Sequence, residues 1–388
     1  MPAVLDADVL IVGAGPAGVA AGLDLVRGGL SVLMLDRPDG SASKPCAGGV
    51  TIKALQRFRI DITPVVRETV CAIDMSHAGR WPDRFSAAST VCLMTHRPEL
   101  DQWHREAAVA AGVQAATLHG LARVAQHGDG VSVTGKDGQV FRGRWLIAAD
   151  GAHSPVRRML LGQPRGVAAV AIEGLLDRAQ CGAEWPGMQL DFADQPGGYG
   201  WLFPKGDHVN VGLYSRNGQR HGVSRERLLD YARRRLGSDA LTGIQGYPIP
   251  VNGDQRRITA GRVLFAGDAA GMAEALLGEG IYGALLSGQM AAAALLGAPQ
   301  GVPEVAARYQ ALMSSWRREL RVTRHLARAF YRTLPGGYAL LRLGLHRPLM
   351  QGFAAGLTLV QSKRAWLSPG AADDRPPGYR QTSGGRPD

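Results

Sequence analysis

The sequence predicts an α/β fold: a parallel sheet assembled from separated segments of the chain, an antiparallel sheet interleaved with it, and helices toward the C-terminal end. Three observations lead there. An apolar run over residues 7–13 passes into Gly13-x-Gly15-x-x-Gly18 and then into an alanine- and leucine-rich segment ending at Arg27, which reads as strand, tight turn and helix. Two more apolar runs, residues 145–149 and 262–266, end at Asp150-Gly151 and Gly267-Asp268. From about Gly166 to Leu213, apolar and polar positions alternate between Gly/Pro turns, the period of an antiparallel sheet.

In the first unit Gly13 permits the turn, Gly15 lets the backbone approach a pyrophosphate, and Gly18 lets helix and strand pack closely. The helix N-terminus adds unpaired N–H groups and a partial positive charge suited to phosphates. A second apolar run, residues 31–35, ends at Asp36, eighteen positions beyond Gly18, where a carboxylate accepts from ribose hydroxyls. Strand, helix and strand together make the Rossmann-type unit of a dinucleotide cofactor, and Ala14, Ala17 and Arg37 fall among its contact positions. A purely structural turn would not explain the glycine spacing in that context.

The runs at 145–149 and 262–266 are apolar throughout, as strands covered on both faces are, so they belong to the same sheet. The cofactor domain is therefore discontinuous, over residues 1–75, 93–165 and 248–300, with an antiparallel substrate domain at 76–92 and 166–247. Ser224 to Leu236 has the spacing of an amphipathic helix with Ser224 as its N-cap. After Pro303 the pattern is helical to about Arg332, is interrupted at Leu334-Pro-Gly-Gly, and resumes toward Trp366. Residues 301–367 are read as a helical region, and 368–388 as an unstructured tail.

A chain of 388 residues, 45% hydrophobic and 20% charged, can bury a large core. It has no run of ~18 apolar residues, so no spanning helix is predicted. Asp6 and Asp8 stand where a signal peptide carries basic residues, and a cytoplasmic protein is expected. The cysteines, Cys46, Cys71, Cys92 and Cys181, are too scattered for a zinc site or a disulfide framework. His104, His153 and His208 are likewise not at ligand spacing, and no metal is expected. A net charge of +11 fits nucleic acid, an anionic membrane or an acidic substrate. Between Val305 and Leu367, however, eleven Arg or Lys residues face one acid, Glu319. With the apolar positions of 340–345 and 349–360 around Arg342 and Arg347, this segment predicts peripheral contact with an anionic membrane surface, or else a solvated and internally docked face, and no nucleic-acid partner.

Later segments select the cofactor. Ala149-Asp150-Gly151-Ala-His-Ser-Pro-Val-Arg157 and Arg262-Val-Leu-Phe-Ala-Gly267-Asp268-Ala-Ala-Gly271 resemble two further fingerprints of the FAD-dependent hydroxylase and reductase superfamily, the para-hydroxybenzoate hydroxylase-like flavoproteins. The resemblance implies FAD, with Asp150 and Gly267 near it and Asp268 on the ribityl chain. Leu277-Gly278-Glu279-Gly280-Ile281 would then open a helix toward the isoalloxazine, its dipole stabilising negative charge on the reduced ring. Arg97, heading Arg97-Pro-Glu-Leu-Asp101, falls where this superfamily places a flavin-proximal arginine; taken alone it is equally a solvated surface charge.

Lys44-Pro45-Cys46-Ala47-Gly48-Gly49 and Tyr199-Gly-Trp201-Leu-Phe203-Pro204, continued through Lys205 to Gly212, resemble the signatures of the geranylgeranyl reductase family, over residues 7 to about 300. Many members carry Cys-Gly-Gly-Gly where this chain has Cys46-Ala47-Gly48-Gly49. The resemblance implies that Cys46, Ala47 and Gly49 lie beside the flavin, and that Tyr199, Trp201, Phe203 and Pro204 bound a cavity for a prenyl chain. An isolated alkene needs a proton on one face while reduced flavin delivers hydride to the other. An ordinary thiol keeps its proton at neutral pH, so Cys46 can donate or relay it; the plainer reading is a small residue filling a cofactor loop. Tyr199, Trp201 and Phe203 share one face of a strand, as substrate wall or as sheet core.

The activity expected is reduction of isoprenoid double bonds on a pigment, lipid, quinone or diphosphate, with electrons from NADPH or another external donor. The rivals are a flavin monooxygenase on the same scaffold and an electron relay without substrate chemistry. Halogenation is disfavoured, because flavin halogenases carry Trp-x-Trp-x-Ile-Pro and this chain departs from it at Tyr199 and Phe203.

Overall fold

The computed structural model describes residues 5–38, 44–162, 169–216, 222–297, 301–340 and 347–367; the tail read as unstructured lies outside the described residues. Five parallel strands run in the order Val263–Phe265, Val140–Ala148, Leu5–Val12, Val32–Asp36 and Gln114–Thr117. Val9, Leu10 and Ile11 are wholly buried, the consequence of a strand covered on both faces. The edge strand Gln114–Thr117 has mostly exposed side chains and gave no apolar signal. An antiparallel hairpin, Leu121–Gln126 and Val131–Gly135, extends this sheet through the first half of Val140–Ala148.

Helix Pro16–Arg27 crosses the long helix Ile281–Leu296, and a Cβ on Gly288 would lie 2.1 Å from the Ala17 carbonyl oxygen. Glycine there allows the two backbones to touch. Gly18 does the same toward the first strand, where a Cβ would meet the Gly13 oxygen at 2.0 Å.

A seven-stranded sheet forms the second layer, in the order Thr242–Ile249, Ala169–Asp177, His208–Ser215, Gly198–Pro204, Met188–Phe192, Ala72–His77 and Arg80–Ser86. It is antiparallel except where Ala72–His77 runs parallel to Met188–Phe192. The sheet thus takes in residues 72–77 and 242–249, so boundaries drawn at 75/76 and 247/248 cut through two of its strands. A three-stranded sheet, Gly49–Thr51, Cys92–Thr95 and Val66–Val70, bridges the two layers. Helix Arg225–Leu236 covers the outer face, and the Ser224 hydroxyl accepts from the Arg227 N–H at 3.2 Å, the predicted cap.

The C-terminal region is helical at Val302–Leu312, Ser314–Arg332, Leu334–Leu340, Arg347–Ala354 and Leu359–Leu367. The Leu334-Pro-Gly-Gly segment, read as an interruption, is itself helix. Its proline falls in the first turn, where the missing N–H has no helical partner to lose, and Gly337 lets the turn press on Phe330. Trp316 and Arg317 fasten Ser314–Arg332 to the loops on either side of the last parallel strand, donating to the Met272 oxygen at 3.2 Å and the Asp254 oxygen at 3.0 Å.

Candidate active site

A cavity of about 590 Å³ lies between the carboxyl ends of the parallel strands and one face of the seven-stranded sheet. Open α/β sheets bind ligands at those strand ends. Gly13, with φ +103, leaves the first strand by a turn in which a Cβ would lie 2.3 Å from the Ala149 oxygen. Gly15 caps the following helix from an extended conformation, and a Cβ on it would meet nothing within 4 Å. Neither backbone nor neighbours require glycine at 15, so the open space before the helix N-terminus is what its missing side chain preserves. This cradle suits the pyrophosphate of a dinucleotide. Ala14, Ala17, Asp36 and Arg37 line it too, whereas Gly18 does not: it is a packing residue.

The second and third fingerprints close the same end. Both Asp150 oxygens are engaged, by the Ser154 hydroxyl at 2.6 Å and the Val156 N–H at 2.9 Å, so Asp150 shapes the wall by ordering the next turn. Arg157 donates to the Arg257 and Ala269 oxygens at 2.9 and 3.1 Å, tying one fingerprint to the other. Gly267 donates its N–H to the buried Ser287 hydroxyl at 2.8 Å. Asp268 is paired with Lys44, a partner that spacing did not indicate; burial works to lower the Lys44 pKa, but Asp268 outweighs it and the pKa rises.

Gly278, Gly280 and Ile281 line the cavity at the start of helix Ile281–Leu296. The loop before them is held from two sides. The buried Glu274 carboxylate accepts three N–H groups, from Leu276, Leu277 and Glu279, at 2.7, 2.6 and 3.2 Å. Three tyrosine hydroxyls donate to its carbonyls: Tyr214 to Ala275 at 3.0 Å, Tyr331 to Leu276 at 2.6 Å and Tyr199 to Leu277 at 2.5 Å.

Cys46, Ala47 and Gly49 line the cavity between this cradle and the sheet. The Gly48 N–H points at Cys46 Sγ, 3.5 Å away. Arg97 is 6% exposed, so the surface-charge reading fails: it holds Asp101 through contacts of 3.0–3.2 Å and also donates toward the Cys46 sulfur. Burial opposes its charge, but Asp101 and Cys46 raise its pKa. A second thiol, Cys92, also lines the cavity, and burial pushes its pKa well up.

Tyr199, Trp201 and Phe203 all face the cavity, with ring centres 6.0 and 6.4 Å apart along the strand. Alternation carries Pro204 to the other face, off the cavity wall where it was expected. Room for the indole comes from the next strand, since a Cβ on Gly212 would sit 2.0 Å from the Trp201 ring. Its N–H donates to Asn210 Oδ1 at 2.7 Å. Glu173 reaches the same face because the register aligns it with Gly212 and so with Trp201. Met350 and Phe353 complete the wall from helix Arg347–Ala354, so part of the 349–360 segment assigned to a bilayer faces inward instead; residues 341–346 of the neighbouring segment lie outside the described residues. Neither Glu173 nor this helix could be placed from the sequence, because only strand register and the chain's return bring them here.

A two-layer α/β protein with a glycine-lined cradle at the strand ends, opening into an aromatic cavity, has the architecture of a dinucleotide-binding protein. Residues 6–296 match the FAD binding domain family. The chain is 32% identical to a menaquinone reductase of Mycobacterium tuberculosis, over 74% of this chain and 76% of that one. It is 30% identical to a geranylgeranyl diphosphate reductase of Rhodobacter capsulatus, over 74% and 75%. A solved structure from Thermoplasma acidophilum, described as geranylgeranyl bacteriochlorophyll reductase-like, superposes with a TM-score of 0.75 at 20% identity, over 96% of this chain and 98% of that one. The chain belongs to the FAD binding domain family and, within it, to the geranylgeranyl reductase group of FAD-dependent oxidoreductases. Among the described residues no group of three or more His, Cys, Asp or Glu could hold a metal, and no helix is long and apolar enough to cross a membrane.

Proposed function

We propose that the protein saturates isolated carbon–carbon double bonds of a prenylated, largely apolar substrate, with Cys46 handing over the proton. The observation that supports this reading is that Cys46 and the aromatic row Tyr199, Trp201 and Phe203 line one cavity together with the cradle residues. Gly13, Gly15 and the helix N-terminus would hold the pyrophosphate, Asp36 the ribose, and Asp268 with Lys44 the ribityl region. Bound there and reduced by NADPH or another external donor, FAD supplies hydride.

The chain's own residues do the rest. The aromatic row and Met188, Leu190, Met350 and Phe353 exclude water and hold an extended alkene. Cys46 keeps a proton at Sγ, with the Gly48 N–H and Arg97 placed to stabilise the thiolate left behind. We also assign an anionic membrane surface as the source of substrate, on the exposed face of helix Ser314–Arg332, where Arg318, Arg321, Arg328 and Arg332 surround Val322 and Leu326.

The deciding experiment is anaerobic incubation of reduced holoenzyme with a geranylgeranyl lipid or diphosphate, read by mass spectrometry. The product gains two hydrogens per bond reduced, and Cys46→Ser lowers turnover by ~10²- to 10⁴-fold while FAD remains bound and reducible. A requirement for oxygen, with a product heavier by one oxygen atom, would instead make the protein a monooxygenase.

A further inference from the structure

Gly48, two residues beyond Cys46, has φ +71, and a Cβ on it would lie 2.8 Å from the ammonium nitrogen of Lys205. Lys205 directly follows the aromatic strand and is 2% exposed; its backbone N–H donates to the His208 oxygen at 2.8 Å, fixing the turn from which the side chain leaves. Two other lysines near the cavity are closed by carboxylates, Lys44 by Asp268 and Lys53 by Glu279; Lys205 makes no ion pair among the described residues. The groups that face it are Cys46 and Arg97 from the cofactor side, Glu173 from the sheet, and Glu99 and His96 from the start of helix Arg97–Ala110. Burial lowers the Lys205 pKa against the pull of Cys46 and Glu173, which makes its proton easier to give up. Glu173 accepts from the Cys46 backbone N–H and from Asn210, the residue that also holds Trp201, so one chain of hydrogen bonds joins the aromatic wall, the carboxylate and the cysteine loop.

We propose that Lys205 returns the proton to Cys46 after each turnover, with Glu173 as the positioning residue that keeps the cysteine loop facing it. The proposal rests on the reading of Cys46 as proton donor. The Cys46 S–H bond breaks as a substrate C–H bond forms, while the electron pair comes as hydride from reduced flavin, recharged by the external two-electron donor. The thiolate then takes a proton from the Lys205 ammonium: an N–H bond breaks, an S–H bond forms, and the amine regains its proton from water.

The test compares wild type, Lys205→Met and Lys205→Arg as holoenzymes, with flavin absorbance to verify folding. Alkylation of Cys46 by iodoacetamide at neutral pH, followed on its peptide with exposed Cys71 as internal reference, slows about tenfold in Lys205→Met, which no longer stabilises a thiolate, and recovers in Lys205→Arg. Turnover behaves differently. Both variants lose ~10²-fold in kcat with KM unchanged, since arginine keeps the charge but does not release a proton, and the alkaline limb of the kcat–pH profile, left to Cys46 alone, moves to higher pH in Lys205→Met. Wild-type turnover and pH profile in Lys205→Met would overturn the relay. Wild-type turnover in Cys46→Ser would overturn the cysteine reading itself, so the two failures are distinguishable.

Discussion

Gly15 and His104 show how one residue's surroundings define its task. The glycine's backbone is extended and its missing side chain faces open cavity, the space the proposed pyrophosphate would use. Gly15→Val should leave the fold intact and cut bound FAD at least tenfold, measured as the flavin-to-protein absorbance ratio; normal flavin content would contradict the cradle. His104 is 2% exposed beside Phe58, with Nε2 unpartnered among the described residues, and burial followed by the Arg97 charge lowers its pKa from 6.5 to about 3. The unfolded chain therefore binds a proton that the folded protein refuses until about pH 3. That contribution to stability is fully present above pH 6.5 and is lost as pH falls from there toward 3, by up to ~1.4 kcal/mol per pH unit. In His104→Leu the acid side of the Tm–pH curve should flatten, and an unchanged curve would exclude this histidine.

Among the elements, the Ala275–Leu277 loop is the joint at which three parts of the chain meet. Tyr199 and Tyr214 reach it from adjacent strands and Tyr331 from the C-terminal helix, each giving a hydroxyl to a different carbonyl. The loop leads directly into Gly278 and the helix that faces the cavity, so the clamp sets where that N-terminus points. Tyr331→Phe leaves the Leu276 oxygen without this donor and should cost about 1–2 kcal/mol of stability. It should also speed FAD release, and a release rate equal to wild type would reduce the clamp to simple packing. Tyr199 therefore has two duties: its ring belongs to the cavity wall and its hydroxyl to the cofactor side. The sequence pattern exposed the first through the Tyr-x-Trp-x-Phe spacing, while the second depends on a carbonyl 78 residues away.

For the whole molecule, the basic excess of the C-terminal region divides by depth. Arg317 and Arg324 are spent internally, on the 253–256 loop and on Asp254, whereas Arg318, Arg321, Arg328 and Arg332 are exposed. Replacing those four with Ala should abolish co-sedimentation with anionic vesicles, each contributing ~1 kcal/mol, and high salt should do the same to wild type; equal recovery of the variant would remove the membrane face. By itself the sequence determined the layered α/β class, the parallel strands at 5–12, 32–36, 140–148 and 263–265 in outline, the glycine turn before the first helix, and the shared strand face of Tyr199, Trp201 and Phe203. Those are local facts: a run of buried apolar residues, a glycine that a turn requires, a period of two. Only the tertiary structure placed Glu173, Lys205 and Asn210 around Cys46, buried Arg97 and brought Met350 and Phe353 to the cavity. Each of these depends on strand register or on contacts across more than a hundred residues or a whole layer, and a charge or a ring carries no local mark of the partner it will meet once the chain has folded.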